Sequence, residues 1–143
     1  MSPDPSVSVL ALDVGGRRIG VAIAHAVARI AHPLTTIDAG ETAQNIILDL
    51  INRESVIALC VGLPRGLDGQ ETQQTAAIKQ FVGALQKAVT IPVYLQDEAV
   101  TSRQAEAELQ ARGKPYAKGD IDALAATYIL EDFLQEHKEI FAT

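Results

Sequence analysis

Three short apolar runs open the chain before any helical periodicity begins. Val7 to Leu12 forms the first and stops at Asp13, Val14-Gly15-Gly16 supplies a turn, and Ile19 to Ala24 resumes the apolar pattern. This predicts a hairpin of two strands with an acid where the first ends. A third strand around Leu34 to Ile37 follows His32-Pro33, where proline keeps its predecessor extended. From Glu41 to Arg53 the period becomes helical, with Ile46, Ile47, Leu50 and Ile51 in one stripe. Val56 to Val61 is apolar on both faces, the pattern of a buried parallel strand, and ends in Gly62-Leu63-Pro64. Asp68 with Glu71 is placed to cap a helix over Gln70 to Ala88, whose apolar side holds Ala77, Ile78, Phe81 and Leu85. Ile91 to Leu95 reads as another strand. Thr101 with Gln104 fits a capping box for a helix to Gln110 that Gly113 stops, and a last helix starts near Gly119 or Asp120 and reaches His137. Three strands, helix, strand, helix, strand and two helices is the alternation of an α/β layered fold after an antiparallel start.

The chain has 143 residues, 48% of them hydrophobic, enough for one core without disulfides, so residues 1–143 are read as a single domain. The lone Cys60 sits inside the apolar run 56–61, so it is expected to be a buried strand thiol in a reducing compartment. No signal-like opening and no run of membrane-spanning length is present, so a soluble cytoplasmic protein is expected, with no membrane partner. The formal net charge of −6 argues against a protein that coats nucleic acid with positive charge. Basic residues nevertheless gather locally, at Arg17-Arg18, at Arg65, and at Arg112, Lys114 and Lys118. A local basic rim is compatible with weak binding of a polyanion.

The acids carry more information. Asp13 closes an apolar strand, where a carboxylate must be paired, desolvated or bound to a cation, although an aspartate before Gly can also be a simple turn former. Asp97-Glu98 follows the strand around 91–95, at the kind of carboxyl end that lines ligand crevices in α/β sheets. Neighbours on an extended chain face opposite ways, so at most one of these two can meet Asp13. Asp122 lies early in the last helix. Ala125 and Ala126, three and four residues on, give its face a small surface that can press onto a sheet, while Asp120 is placed as the capping residue. Carboxylates converging from separate elements suit hard, oxygen-seeking cations such as Mg²⁺ or Mn²⁺. His25, His32 and His137 lack ligand spacing.

The segment Leu12-Asp13-Val14-Gly15-Gly16-Arg17-Arg18-Ile19-Gly20-Val21-Ala22 resembles the opening motif of the YqgF family, also called RuvX. Later blocks follow in the family's order: His32-Pro33-Leu34-Thr35-Thr36-Ile37, Val61-Gly62-Leu63-Pro64 with Asp68-Gly69, Pro92-Val93 leading to Asp97-Glu98, and Asp122-Ala123-Leu124-Ala125-Ala126. The resemblance implies an RNase H-like α/β fold, a mixed central five-stranded sheet flanked by helices. It also implies a nuclease site of Asp13, Glu98 and Asp122 holding Mg²⁺ or Mn²⁺, and so selects Glu98 over Asp97. The role it suggests is maturation of the 5′ end of 16S ribosomal RNA, with Holliday junction resolution as the alternative; pre-rRNA, or branched or single-stranded DNA, is then the partner of a monomer or homodimer. One departure is Ala99, where members similar to this chain carry arginine.

The chemistry expected of that set is metal-assisted hydrolysis, with Asp13 bridging two metals about 3.5–4 Å apart. Arg17, Arg18, Arg65 and Lys118 would orient the nucleic-acid backbone without reading sequence. Two readings from other classes compete. The glycine-rich stretch 13–20 also looks like the first phosphate loop of actin-like kinases, and the same fold could serve as a non-catalytic interaction module.

Overall fold

The computed structural model describes residues 6–64, 73–98 and 101–141, without the side chains of positions 64, 98 and 101–103. Five strands and four helices follow one another as β1 (Ser8–Val14), β2 (Arg18–His25), β3 (His32–Asp38), α1 (Ala43–Arg53), β4 (Val56–Pro64), α2 (Gln73–Ala88), β5 (Val93–Glu98), α3 (Thr101–Arg112) and α4 (Lys118–Glu136). The strands form a single mixed sheet in the order β3-β2-β1-β4-β5. The first three pair antiparallel, whereas β1, β4 and β5 are parallel. This is the architecture the family resemblance implies.

Strand alternation divides the core into layers. Leu10, Leu12, Ile19, Val21, Leu59, Val61 and Leu63 face α1 and α2, where they meet Ile47, Leu50, Ile78 and Leu85. Val9, Ala11, Ala22, Ala24, Ala58 and Cys60 face the other way, onto Ala126, Ile129, Leu130 and Phe133 of α4. The sheet residues under α4 are mostly alanine, so the helix can lie close to the strands. Cys60 is fully buried there, as expected. A third cluster, Ala105, Leu109, Leu124 and Ala125, fastens α3 to the outer side of α4.

Several boundaries differ from the sequence reading. β4 does not stop at Val61; Gly62, Leu63 and Pro64 continue to pair with Gln96, Asp97 and Glu98. Gly62 is tolerated in the strand because a β-carbon there would strike the side chain of Ile129. β5 correspondingly begins at Val93 and includes Asp97 and Glu98 rather than ending before them. β3 extends back through Pro33, which a sheet accepts because β3 is an edge strand. In α1 the core residues are Ala43, Ile47 and Leu50, while Ile46 remains 36% exposed, because adjacent helix positions are a hundred degrees apart and Ile46 and Ile47 cannot both face the sheet. In α2 the buried apolar positions are Ile78, Val82 and Leu85, and Ala77 is exposed.

The last helix starts at Lys118, one residue before Gly119 and two before Asp120, the two expected starts. Asp120 is not its N-cap; Ala117 is, and the Asp120 carboxylate reaches back to accept the Ala117 backbone N–H at 2.9 Å. Gly113 ends α3 with φ +71, a conformation that favours glycine. The expected caps at Asp68, Glu71 and Thr101 lie outside the described residues or side chains.

Candidate active site

All three parallel strands end at the same edge of the sheet, and β2 begins there. Asp13 is the penultimate residue of β1 and Arg18 the first of β2; the turn between them is closed by the Gly15 N–H bonding to the Arg18 carbonyl at 2.9 Å. Asp13 and Gly20 are register partners across the hairpin. Asp13 follows Ala11 in the strand's alternation and so belongs to the face covered by α4.

The approach of α4 to this edge is set by Gly20. A β-carbon on Gly20 would fall within the backbone of Asp122 and Ala123. The absence of a side chain therefore brings the first turns of α4 down onto β2, directly over the partner of Asp13. Near the same place the Thr36 hydroxyl donates to the Gly119 carbonyl at 2.6 Å and ties the start of α4 to β3. A glycine inside a strand is the sequence signal for such an approach, and the sequence reading passed it over.

Asp13 and Asp122 interact in this crevice. Burial pushes the Asp13 carboxyl up from its ordinary 3.8 to about 6, and the negative charge of Asp122 adds to the rise. Asp122 is paired with Arg18, whose Nε donates to Oδ2 at 2.6 Å. The guanidinium is thus a resident positive charge on Asp122, the acid whose charge Asp13 feels.

Glu98 ends β5, with its backbone opposite Pro64. Gln96, two residues earlier, lies on the α4 side and donates to Glu136 at 3.1 Å, whereas Asp97 is the partner of Leu63, which belongs to the opposite core layer. Alternation therefore gives position 98 the same sheet face as Asp13, two strands away; its side chain is outside the description.

The basic residues separate. Arg18, Lys118 and Asp122 line one open cleft of about 490 Å³ together with Glu106, Tyr116 and Ile121. Arg17 is exposed in the turn, and Arg65 lies outside the described residues. Glu106 and Tyr116 carried no local signal of a place at the site. The histidines are elsewhere: His25 and His32 stack on each other toward the opposite end of β2, and His137 stacks on Phe133.

Among the described residues no three His, Cys, Asp or Glu side chains gather in an arrangement that could hold a metal ion by themselves. The described pair, Asp13 and Asp122, presents only carboxylate oxygens, and burial with the charge of Asp122 disfavours the ionised form of Asp13 until a cation balances it; this is the donor chemistry of Mg²⁺ or Mn²⁺ and not of zinc.

Residues 7–136 match the sequence profile of RuvX, described as a Holliday junction resolvase. A relative from Chloroflexus aggregans is 44% identical over 94% of this chain and 97% of its own length. One from Rickettsia rickettsii is 33% identical over 95% and 91% respectively, and both bear pre-16S rRNA nuclease in their names. In three dimensions the chain is similar to Thermus thermophilus RuvC, with a TM-score of 0.54 at 18% identity, covering 92% of this chain and 96% of that one. RuvC in complex with a Holliday junction substrate gives 0.51 at 20% identity, covering 90% and 95%. The fold is therefore shared with RuvC, and the chain belongs to the RuvX family of Holliday junction resolvases, a family of nucleases that hydrolyse phosphodiester bonds.

Proposed function

We propose that this chain is a divalent-metal-dependent endonuclease that acts in the cytoplasm on the 5′ end of pre-16S rRNA. Asp13, Glu98 and Asp122 hold Mg²⁺ or Mn²⁺. The observation that carries the reading is the packing of the Asp122 backbone on Gly20, the register partner of Asp13, which draws two acids from opposite ends of the sequence together at the carboxyl ends of the parallel strands. The names of the relatives support the substrate. Junction cleavage is the second reading, favoured by the family's description and by the likeness to RuvC.

When bound, the cation supplies Lewis acidity that polarises the phosphoryl group and offsets the charge that develops on it. The protein's own part is positional. Asp13 must give up its proton to act as a ligand, and the rigid β1–β2 hairpin fixes its direction. Arg18 holds Asp122 and presents its remaining N–H groups to the cleft, where a phosphate oxygen can accept them. Lys118 adds a second positive charge on the same wall.

Purified protein incubated with Mn²⁺ or Mg²⁺ and labelled pre-16S 5′ leader RNA, single-stranded DNA and a four-way junction tests both readings. Cleavage of the leader RNA, abolished in Asp13→Asn, is the expected result; selective cleavage of the junction would favour the second reading, and cleavage of none would overturn both.

A further inference from the structure

A ring lies between two clefts. Tyr116, in the connection between α3 and α4, lines the acid-bearing cleft that holds Arg18, Lys118 and Asp122. It also lines a second, neighbouring cleft of about 250 Å³ whose walls include Arg112, Lys114 and Pro115. Its ring packs against the Ala105, Leu109, Leu124 and Ala125 cluster, so it is fixed in place while remaining partly exposed. Arg18, Arg112, Lys114 and Lys118 are four of the twelve lysines and arginines of a chain whose net charge is −6, and all four line these two clefts. Arg112 is steadied by Glu108 at 2.8 Å; Lys114 and Lys118 are exposed. A fixed aromatic ring with cationic side chains on either side is the arrangement that binds a single strand, one base stacking on the ring and the flanking phosphates meeting the charges. A duplex does not fit the same description, because its base faces are already stacked on one another.

We propose that Tyr116 is a stacking platform for one unpaired base of the substrate, with Lys118 engaging the phosphate on the acid side of the ring and Lys114 and Arg112 the phosphate beyond it. The proposal rests on the nuclease reading for its substrate class, and it makes the enzyme selective for a single-stranded segment next to the bond it cuts. Tyr116 binds and positions, leaving the chemistry to the acids.

The test uses a short single-stranded RNA carrying one 2-aminopurine, moved along the strand and titrated with the full chain in EDTA so that nothing is cut. Wild type should quench the probe at one or two adjacent positions. Tyr116→Phe should retain the quenching because stacking needs no hydroxyl, and Tyr116→Leu, which keeps apolar packing on Leu109 and Leu124, should lose it. In cleavage assays with Mn²⁺, Tyr116→Leu should raise KM about tenfold at nearly constant kcat, the scale expected of one base stack. Lys114→Ala should lower the salt dependence of binding by about one counterion. Unchanged quenching and KM in Tyr116→Leu would overturn the proposal, as would a fall in kcat alone, which would make the ring merely structural. Site-specific quenching by a wild type that cuts no nucleic acid would uphold the platform and overturn the nuclease reading instead.

Discussion

The backbone of Asp122 rests on Gly20 where any larger residue would leave no room for it. Gly20 is the cross-strand partner of Asp13, so this one contact fixes the separation of two acids from opposite ends of the chain. Gly20→Ala should push α4 away from β2. Overpacking of this kind costs about 1–3 kcal/mol, and activity should fall further than stability because Asp122 moves with the helix. Gly16, in the preceding turn, has open space around it, and Gly16→Ala should change stability by no more than about 0.5 kcal/mol. Denaturant melts of the two variants provide the comparison; equal stability would place the helix elsewhere.

Arg18 neutralises part of the charge that Asp13 and Asp122 bring together. Because its side chain is 36% exposed and that of Asp122 19%, the ion pair is screened, and Arg18→Gln should cost only about 0.5–1 kcal/mol in EDTA. A divalent cation can supply the missing charge, so the variant should bind Mn²⁺ at least as tightly as wild type while its KM for nucleic acid rises. Weaker Mn²⁺ binding with unaltered apo stability would mean that Arg18 does not balance the acids.

The strands and the two outer members of the candidate site are legible in local pattern. An apolar run that closes on Asp13, and an acid followed by Ala125 and Ala126, both mark places where a carboxylate is pressed against a sheet. The choice between Asp97 and Glu98 depends on register with β4, which no local period encodes. Gly62-Leu63-Pro64 looks like punctuation and is strand because β5 pairs with it, and β5 itself is displaced toward the acids by the same pairing. The Arg18–Asp122 ion pair joins residues at opposite ends of the sequence, and Tyr116 matters through the clefts on either side of it; neither has a signature in its own neighbourhood.

Asp120 separates the structural acid of α4 from the proposed catalytic one. Its carboxylate accepts the Ala117 N–H and completes half of a capping box, so Asp120→Ala should cost about 1 kcal/mol of stability and spare most of the activity. Asp122→Asn should do the reverse. Parallel losses of activity in the two variants at a temperature where both remain folded would show that the wrong acid of this helix has been assigned to the site.

The raised pKa of Asp13 makes a linked prediction about pH and metal. Between its ordinary value of 3.8 and the folded value of about 6, the folded protein keeps a proton that the unfolded chain has released. Stability therefore falls as pH rises through that window, and above it the ionised carboxylate costs at most about 3 kcal/mol. Asn has no such proton. Metal-free Asp13→Asn should accordingly match wild type near pH 4 and melt higher than wild type near pH 7, less whatever its amide loses in unmet hydrogen bonds. A cation reverses the order, because it binds the ionised form: its affinity for wild type should climb with pH up to about 6 and then level off. At ten times its dissociation constant Mn²⁺ should stabilise wild type by RT ln 11, about 1.4 kcal/mol, or roughly 3–6 °C. Thermal melts of both proteins across pH, in EDTA and with Mn²⁺, read all of this at once. A difference between them that does not change with pH, or a wild type indifferent to Mn²⁺, would make Asp13 a turn residue and not a ligand.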